Sequence, residues 1–300
     1  MEDGRQKKIL ISENKLTAIM KKIVPLASAI LSIFLTSCTD NNKSVQGTLF
    51  IIGGGDRTVE MMNALVDLSG IRNNGYMYVL PMASSVPDSA IIWAREDFIA
   101  AGISRVQGYN FLPDQTPPKP QLDSLRNARL IYISGGDQAR FMSVVLNTPV
   151  MNAIHEAYKN GSVIAGTSAG AAVMSKKMIT GNQKKHPEAD AGFVTIEADN
   201  IEITEGLGLL KEVIIDQHFI RRQRLNRLVA ASIENPEEQC VGIDESTAII
   251  VKGNNARVTG EGQVVSIRNR NAIKKEQDGL LGTENLQISV YLAGQSFNIE

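Results

Sequence analysis

Cysteine is scarce in this 300-residue chain: Cys38 and Cys240 permit at most one disulfide, which excludes a disulfide-stapled scaffold. An excess of charge of either sign is missing too. Thirty-one basic and 32 acidic residues leave a formal net charge of −1, an argument against a nucleic-acid binder driven by phosphate neutralisation. Aromatic residues reach 5%, and Gly and Pro stand at ordinary counts of 25 and 10, which rules out low-complexity and collagen-like classes. No cluster of His, Cys and Glu has metal-ligand spacing. No Gly-Lys-Ser/Thr or dinucleotide fingerprint follows the glycines at 53–55, and a tight turn is the simpler reading of that run. Neither a metal nor an organic cofactor is expected.

What is present begins with a sharp local shift. Residues 1–19 are polar, and Met20-Lys21-Lys22 then opens an apolar run over Ile23–Leu35. That run is shorter than the roughly 20 residues a membrane-spanning helix needs. A basic start, a short apolar stretch and small residues after it make a secretory signal peptide. Leu35-Thr36-Ser37-Cys38 resembles the bacterial lipoprotein box, in which the cysteine is lipidated and becomes the first residue. The expectation is an upstream extension and lipoprotein signal peptide over 1–37, with Met20 as the start. A lipidated tether over 38–46 and a single domain over 47–300 follow. Such a chain is an exported lipoprotein, membrane-anchored in the cell envelope, with Cys240 as an unpaired thiol.

From Gly47 onward short apolar runs alternate with amphipathic stretches. Strands are expected at Thr48–Ile52, Tyr76–Leu80, Val106–Tyr109, Leu130–Ser134, Ser162–Ala165, Val213–Asp216 and Cys240–Asp244. Helical patterns cover Thr58–Leu68, Ser89–Ala101, Gln138–Leu146, Val150–Lys159 and Ile220–Ile233, while the four prolines of Leu112–Pro120 mark a loop. This alternation implies crossover units: an α/β fold with a mostly parallel sheet and helices on both faces. Thr247–Lys252, Arg257–Thr259, Gln263–Arg268 and Leu286–Leu292 read as successive strands of a C-terminal antiparallel extension.

Three glycine-rich turns follow strands, at Gly53–Asp56, Gly135–Gln138 and Gly166–Gly170. In open α/β sheets ligands bind beyond the carboxyl ends of strands, so all three lie on the functional edge. The third, Gly166-Thr167-Ser168-Ala169-Gly170, fits Gly-x-Ser-x-Gly between a strand and an Ala-rich stretch, the context a nucleophile elbow needs. A serine nucleophile needs a base, and the chain offers His155, His186 and His218. His155 lies within an amphipathic helix and His186 in a polar loop. His218 directly follows a strand, at a carboxyl edge, where a base or a merely structural histidine would both fit. The orienting acid would be Glu245, with Asp244 as the alternative; a plain hairpin turn at 244–246 is the other reading. The order Ser168, His218, Glu245 differs from that of α/β-hydrolases, which place the acid between serine and histidine.

Gly-Gly-Asp-Gln at 135–138, Gly-Thr-Ser-Ala-Gly at 166–170, Asp-Gln-His-Phe at 216–219 and Gly-Ile-Asp-Glu at 242–245 together resemble the cyanophycinase family. These are serine exopeptidases, grouped with aspartyl dipeptidases. The resemblance spans roughly 48–270 and implies a flavodoxin-like sheet related to class I glutamine amidotransferases, with serine in place of cysteine. It implies Ser168 as nucleophile, His218 as general base and acid, and Glu245 as the residue orienting it. It further implies an oxyanion site at the Gly136 and Ala169 N–H groups, and substrate contacts from Gln138, Asp216, Gln217, Arg222, Arg224 and Arg227. The substrate would be cyanophycin or a related peptide, cut at β-aspartyl-arginine linkages to release dipeptides, with no nucleic acid bound and homodimerisation left open.

Arg221, Arg222, Arg224 and Arg227 crowd one expected helix start. Alone they are either a solvated basic face or an anion site. A β-aspartyl substrate exposes carboxylates, which arginine grips bidentately, and a helix N-terminus is a poor place for unpaired cations. The leader departs from the family, whose storage-polymer hydrolysis takes place inside the cell. The polar stretch 180–204, with Lys184-Lys185-His186, is expected to reshape access to the site. An α-aspartyl dipeptidase and a non-catalytic, peptide-binding surface lipoprotein are the alternatives.

Overall fold

Apolar runs without polar alternation belong to strands covered on both faces, and four such runs build the centre of the protein. The computed structural model describes residues 47–188 and 192–299. In it β1 (Thr48–Ile52), β2 (Met77–Leu80), β4 (Leu130–Ile133) and β5 (Val163–Thr167) are buried at every position, with β3 (Val106–Gly108) at the edge. These five are mutually parallel, in the order β1-β5-β4-β2-β3.

Successive residues of each strand face opposite layers, which splits the core in two. Phe50, Ile52, Met77, Val79 and Tyr132 pack under α1 (Val59–Ser69) and α2 (Pro87–Ala100). Leu49, Ile51, Leu80, Ile131 and Ile133 pack under α3 (Lys119–Arg126), α4 (Gln138–Val145) and α5 (Pro149–Lys159). Helices on both faces are thus as expected. Helix α3 was hidden in the proline-rich loop: it opens at Lys119 with Pro120 in its first turn, where a missing N–H costs no hydrogen bond.

Two strands expected in the main sheet lie elsewhere. β8 (Val213–Gln217) and β9 (Gln239–Ile243) pair in parallel in a second sheet, with β12 (Val264–Arg268) and β15 (Gln287–Tyr291) antiparallel beyond them. Both edges of β1 are already taken, by β5 and by the antiparallel β10 (Thr247–Lys252), which leads on to β11 (Asn255–Gly260) and β16 (Ser296–Asn298). The antiparallel extension therefore grows on both sheets. The sheets meet at their carboxyl ends, where the His218 N–H donates to Gly53 C=O at 2.7 Å and the Ser246 N–H to Gly54 C=O at 2.9 Å.

The polar stretch 180–204 is framed by the hairpin of β6 (Lys177–Gln183) and β7 (Ile201–Glu205); a smaller hairpin joins β13 (Lys275–Gln277) to β14 (Leu280–Gly282). Two short helices complete the order: α6 (Ala169–Ala172) after β5, and α7 (Leu225–Glu234) between β8 and β9. Helix α7 starts five residues later than its pattern suggested, because 220–223 form a turn. Of the four clustered arginines only Arg227 sits in its first turn.

Candidate active site

The carboxyl ends of β5, β8 and β9 place three side chains in a line. Ser168 stands between β5 and α6 with φ 54° and ψ −112°, a conformation that costs a non-glycine residue roughly 1–3 kcal/mol and persists where its surroundings enforce it. Its N–H donates to Ile52 C=O at 3.0 Å. Gly170 permits the tightness of this elbow, since a Cβ there would overlap the Ile133 carbonyl.

His218, 7% exposed, brings Nε2 to 2.9 Å from Ser168 Oγ and Nδ1 to 2.6 Å from Glu245 Oε1. A carboxylate accepts only, so Nδ1–H donates to Glu245 and the Nε2 lone pair faces the serine hydroxyl. Burial pulls the imidazole below the ordinary histidine range; the Glu245 hydrogen bond opposes this, and Arg222 and Arg224 reinforce it. The hydrogen bond from His218 holds the Glu245 carboxyl below its usual value. Such a line can draw a proton from Ser168 to Nε2 while Glu245 compensates the imidazolium.

The glycines at 53–55 have a role that the sequence did not disclose. Gly54 has φ +114°, and a Cβ on it would clash with the His218 ring, while one on Gly55 would come 2.7 Å from Glu245 Cβ. The run is a bed for the base and its acid. Its signal was a glycine triplet at a strand end with no phosphate-binding pattern behind it.

Gly135 packs beside the serine, a Cβ on it reaching Ser168 Cβ at 3.4 Å. Among the described residues no protein acceptor takes the N–H of Gly136 or of Ala169. Asp244, the alternative acid, accepts from the Ile220 and Arg221 N–H groups at 3.1 and 2.9 Å, which ties down the turn after β8. His155 contacts the Leu207 carbonyl at 2.8 Å and His186 pairs with Glu197 at 2.8 Å, both away from Ser168. Cys240 is a buried free thiol whose pKa burial pushes up, and Cys38 lies outside the described residues.

The residues expected to touch substrate divide. Gln138 is buried, and its Nε2 donates to the Ile179 and Thr180 carbonyls at 3.0 and 2.6 Å, pinning the β6–β7 hairpin to α4. Asp216 (1% exposed) accepts from Arg227 (5% exposed) through Nε at 2.7 Å and through Nη2. Arg224 donates from Nη1 to the Gln217 carbonyl at 2.6 Å and to Gln217 Oε1 at 2.9 Å. Burial and then Arg227 push its guanidinium down to about 10, which leaves it charged at neutral pH. Arg224 and Arg227 are thus turned inward, and Arg221 and Arg222 are exposed.

Residues 49–259 match Peptidase family S51. The chain is 32% identical over 233 residues to a cyanophycinase of Nostoc sp. (strain PCC 7120), covering 75% of this chain and 74% of the relative. It is 28% identical over 279 residues to a cyanophycinase of Thermosynechococcus vestitus, covering 88% and 83%. Among solved structures it is similar to a peptidase from an acI-B1 Actinobacterium, with a TM-score of 0.63 at 22% identity over 85% of this chain and 99% of the other.

Proposed function

The chain belongs to peptidase family S51 and is a serine-type peptidase of cyanophycinase type, and from this premise we propose that it releases β-aspartyl-arginine dipeptides from cyanophycin or related peptides by hydrolysing the amide that joins one dipeptide unit to the next. The observation that supports this best is the unbroken hydrogen-bonded line Ser168–His218–Glu245. Ser168 Oγ attacks the scissile carbonyl as its proton passes to His218 Nε2, and Glu245 stabilises the resulting imidazolium. The carbonyl oxygen, now negative, is held by the N–H groups of Gly136 and Ala169, each typically worth roughly 10²–10³ in turnover. The C–N bond breaks as Nε2–H protonates the leaving amine. Water then enters by the same route and gives its proton to Nε2, and the acyl-enzyme ester breaks to regenerate Ser168.

In this reading Arg222, exposed beside the imidazole, meets a substrate carboxylate. Asp216, Gln217, Arg224 and Arg227 form the wall behind it, and Gln138 fixes the hairpin above. Replacing Ser168 with Ala should lower dipeptide release from cyanophycin by on the order of 10⁴-fold or more at unchanged thermal stability. Undiminished turnover would remove Ser168 from the mechanism. Turnover of α-aspartyl dipeptides in place of cyanophycin would keep the mechanism and move the specificity.

The basic start, short apolar run and Leu35–Cys38 box support export with lipid attachment at Cys38. A palmitate analogue should label the parent chain and spare Cys38→Ser; equal labelling of both would reject the anchor.

A further inference from the structure

The second glycine turn has a cleft on its other side. A cavity of about 140 Å³ lies between α2 and the ends of β4 and β5, lined by Arg57, Trp93, Tyr132, Ser134, Gly135 and Thr167. Gly135 and Thr167 adjoin Gly136 and Ser168 in sequence, and a Cβ on Gly135 would come 3.4 Å from Ser168 Cβ, so the cavity lies next to the nucleophile. None of its polar side chains takes part in the mechanism above.

Three observations give it a ligand chemistry. Ser134 is 6% exposed, and among the described residues its Oγ is buried with no hydrogen-bond partner. A buried hydroxyl of this kind calls for an explanation in the fold. Arg57 Nη1 donates to the Tyr132 hydroxyl oxygen at 3.1 Å, so the phenolic proton is left for another acceptor. Tyr132 is itself fixed edge-on against Phe98, with ring centroids 5.4 Å apart, and burial keeps its phenol protonated. At its other end Arg57 pairs with Asp97, which aims the guanidinium without removing its remaining donors.

Trp93 adds an aromatic side chain to the lining. It is the sole tryptophan of the chain, and it is 56% exposed although it lines a cavity. A buried unpaired hydroxyl, a phenol and a guanidinium thus line one cleft together with a partly exposed indole. A substrate guanidinium would face Arg57, whereas a flat acceptor satisfies all three donors.

We propose that this cleft is a second substrate subsite, in which Arg57, Tyr132 and Ser134 bind a planar carboxylate of an aspartyl unit and Trp93 covers it. The inference rests on the peptidase reading for its substrate and on the cleft alone for its ligand chemistry. Two measurements on the full chain separate these. The emission of Trp93 should change saturably with succinate and stay constant with succinamide. The response in Arg57→Gln should need roughly tenfold or more succinate, the loss expected for a hydrogen bond to a charged group.

In kinetics, the parent should prefer short peptides of β-aspartyl-arginine units that carry a free aspartyl α-carboxylate to their α-carboxamides. Tyr132→Phe and Ser134→Ala, which each remove one oxygen, should shrink that preference. Emission indifferent to succinate, or a preference retained in all three variants, would overturn the subsite. Turnover of neither peptide by the parent would instead overturn the proposed substrate, and the emission titration would still decide the cleft.

Discussion

Ser168 stands between two walls that each carry arginine, and the walls differ in how far those arginines are already satisfied. Behind His218, Asp216 takes Arg227 through two hydrogen bonds and lies 3.6 Å from Arg224, which also spends Nη1 on Gln217. Across the glycine turn, Arg57 leaves donors free and lines the same cleft as a buried hydroxyl that has no hydrogen-bond partner among the described residues. Density of charge in the sequence pointed at the first wall, whereas an account of donors and acceptors points at the second. A cluster of arginines therefore marks a binding surface only after its internal partners have been subtracted.

The contrast predicts opposite responses in stability. Asp216→Asn removes the carboxylate that faces Arg224 and Arg227 at close range, leaving the buried Arg227 guanidinium without its charge partner. Unfolding in urea should show a loss of roughly 3–5 kcal/mol, the usual result of breaking a buried pair from one side. A loss below about 1 kcal/mol would mean that the first wall is hydrated and its arginines are available after all. Ser134→Ala, by contrast, removes a buried polar atom that has no partner among the described residues, so the free chain should keep its stability or gain up to about 1 kcal/mol. A clear destabilisation would assign Ser134 a structural partner and weaken the case for a ligand there.

The same distinction explains what the sequence could and could not disclose. Ser168, His218 and Glu245 were legible because each follows a buried apolar strand, and the ends of such strands converge wherever the sheets are built. The glycine run 53–55 was visible but not interpretable, since its function is the space it leaves for His218 and Glu245, residues about 160 and 190 positions away. The placement of β8 and β9 in a second sheet was hidden, because an apolar run reports burial and says nothing about which strand edge remains open. The Arg227–Asp216 pair was hidden for a related reason. Its members sit on different elements, in the first turn of α7 and at the end of β8, and the turn at 220–223 that joins them was read as helix.

The smallest expected effect tests Arg222, an arginine that the first wall leaves exposed and that acts on the imidazole. Arg222 and Arg224 both depress the His218 pKa, after burial, while Glu245 raises it. General-base action needs neutral imidazole, so kcat/KM should fall on acidification through a midpoint below the ordinary histidine value of 6.5. Removing a cation removes a depressing influence, hence Arg222→Ala should move that midpoint upward and leave stability unchanged. Because Arg222 is exposed, added salt should move the parent in the same direction and scarcely affect the variant. Arg224, half-buried and held by Gln217, is better shielded from such screening, which makes salt the means of telling the two apart. A midpoint that stays put in Arg222→Ala, or falls, would show that Arg222 does not act on the imidazole, and both arginines nearest the base would then belong to the scaffold.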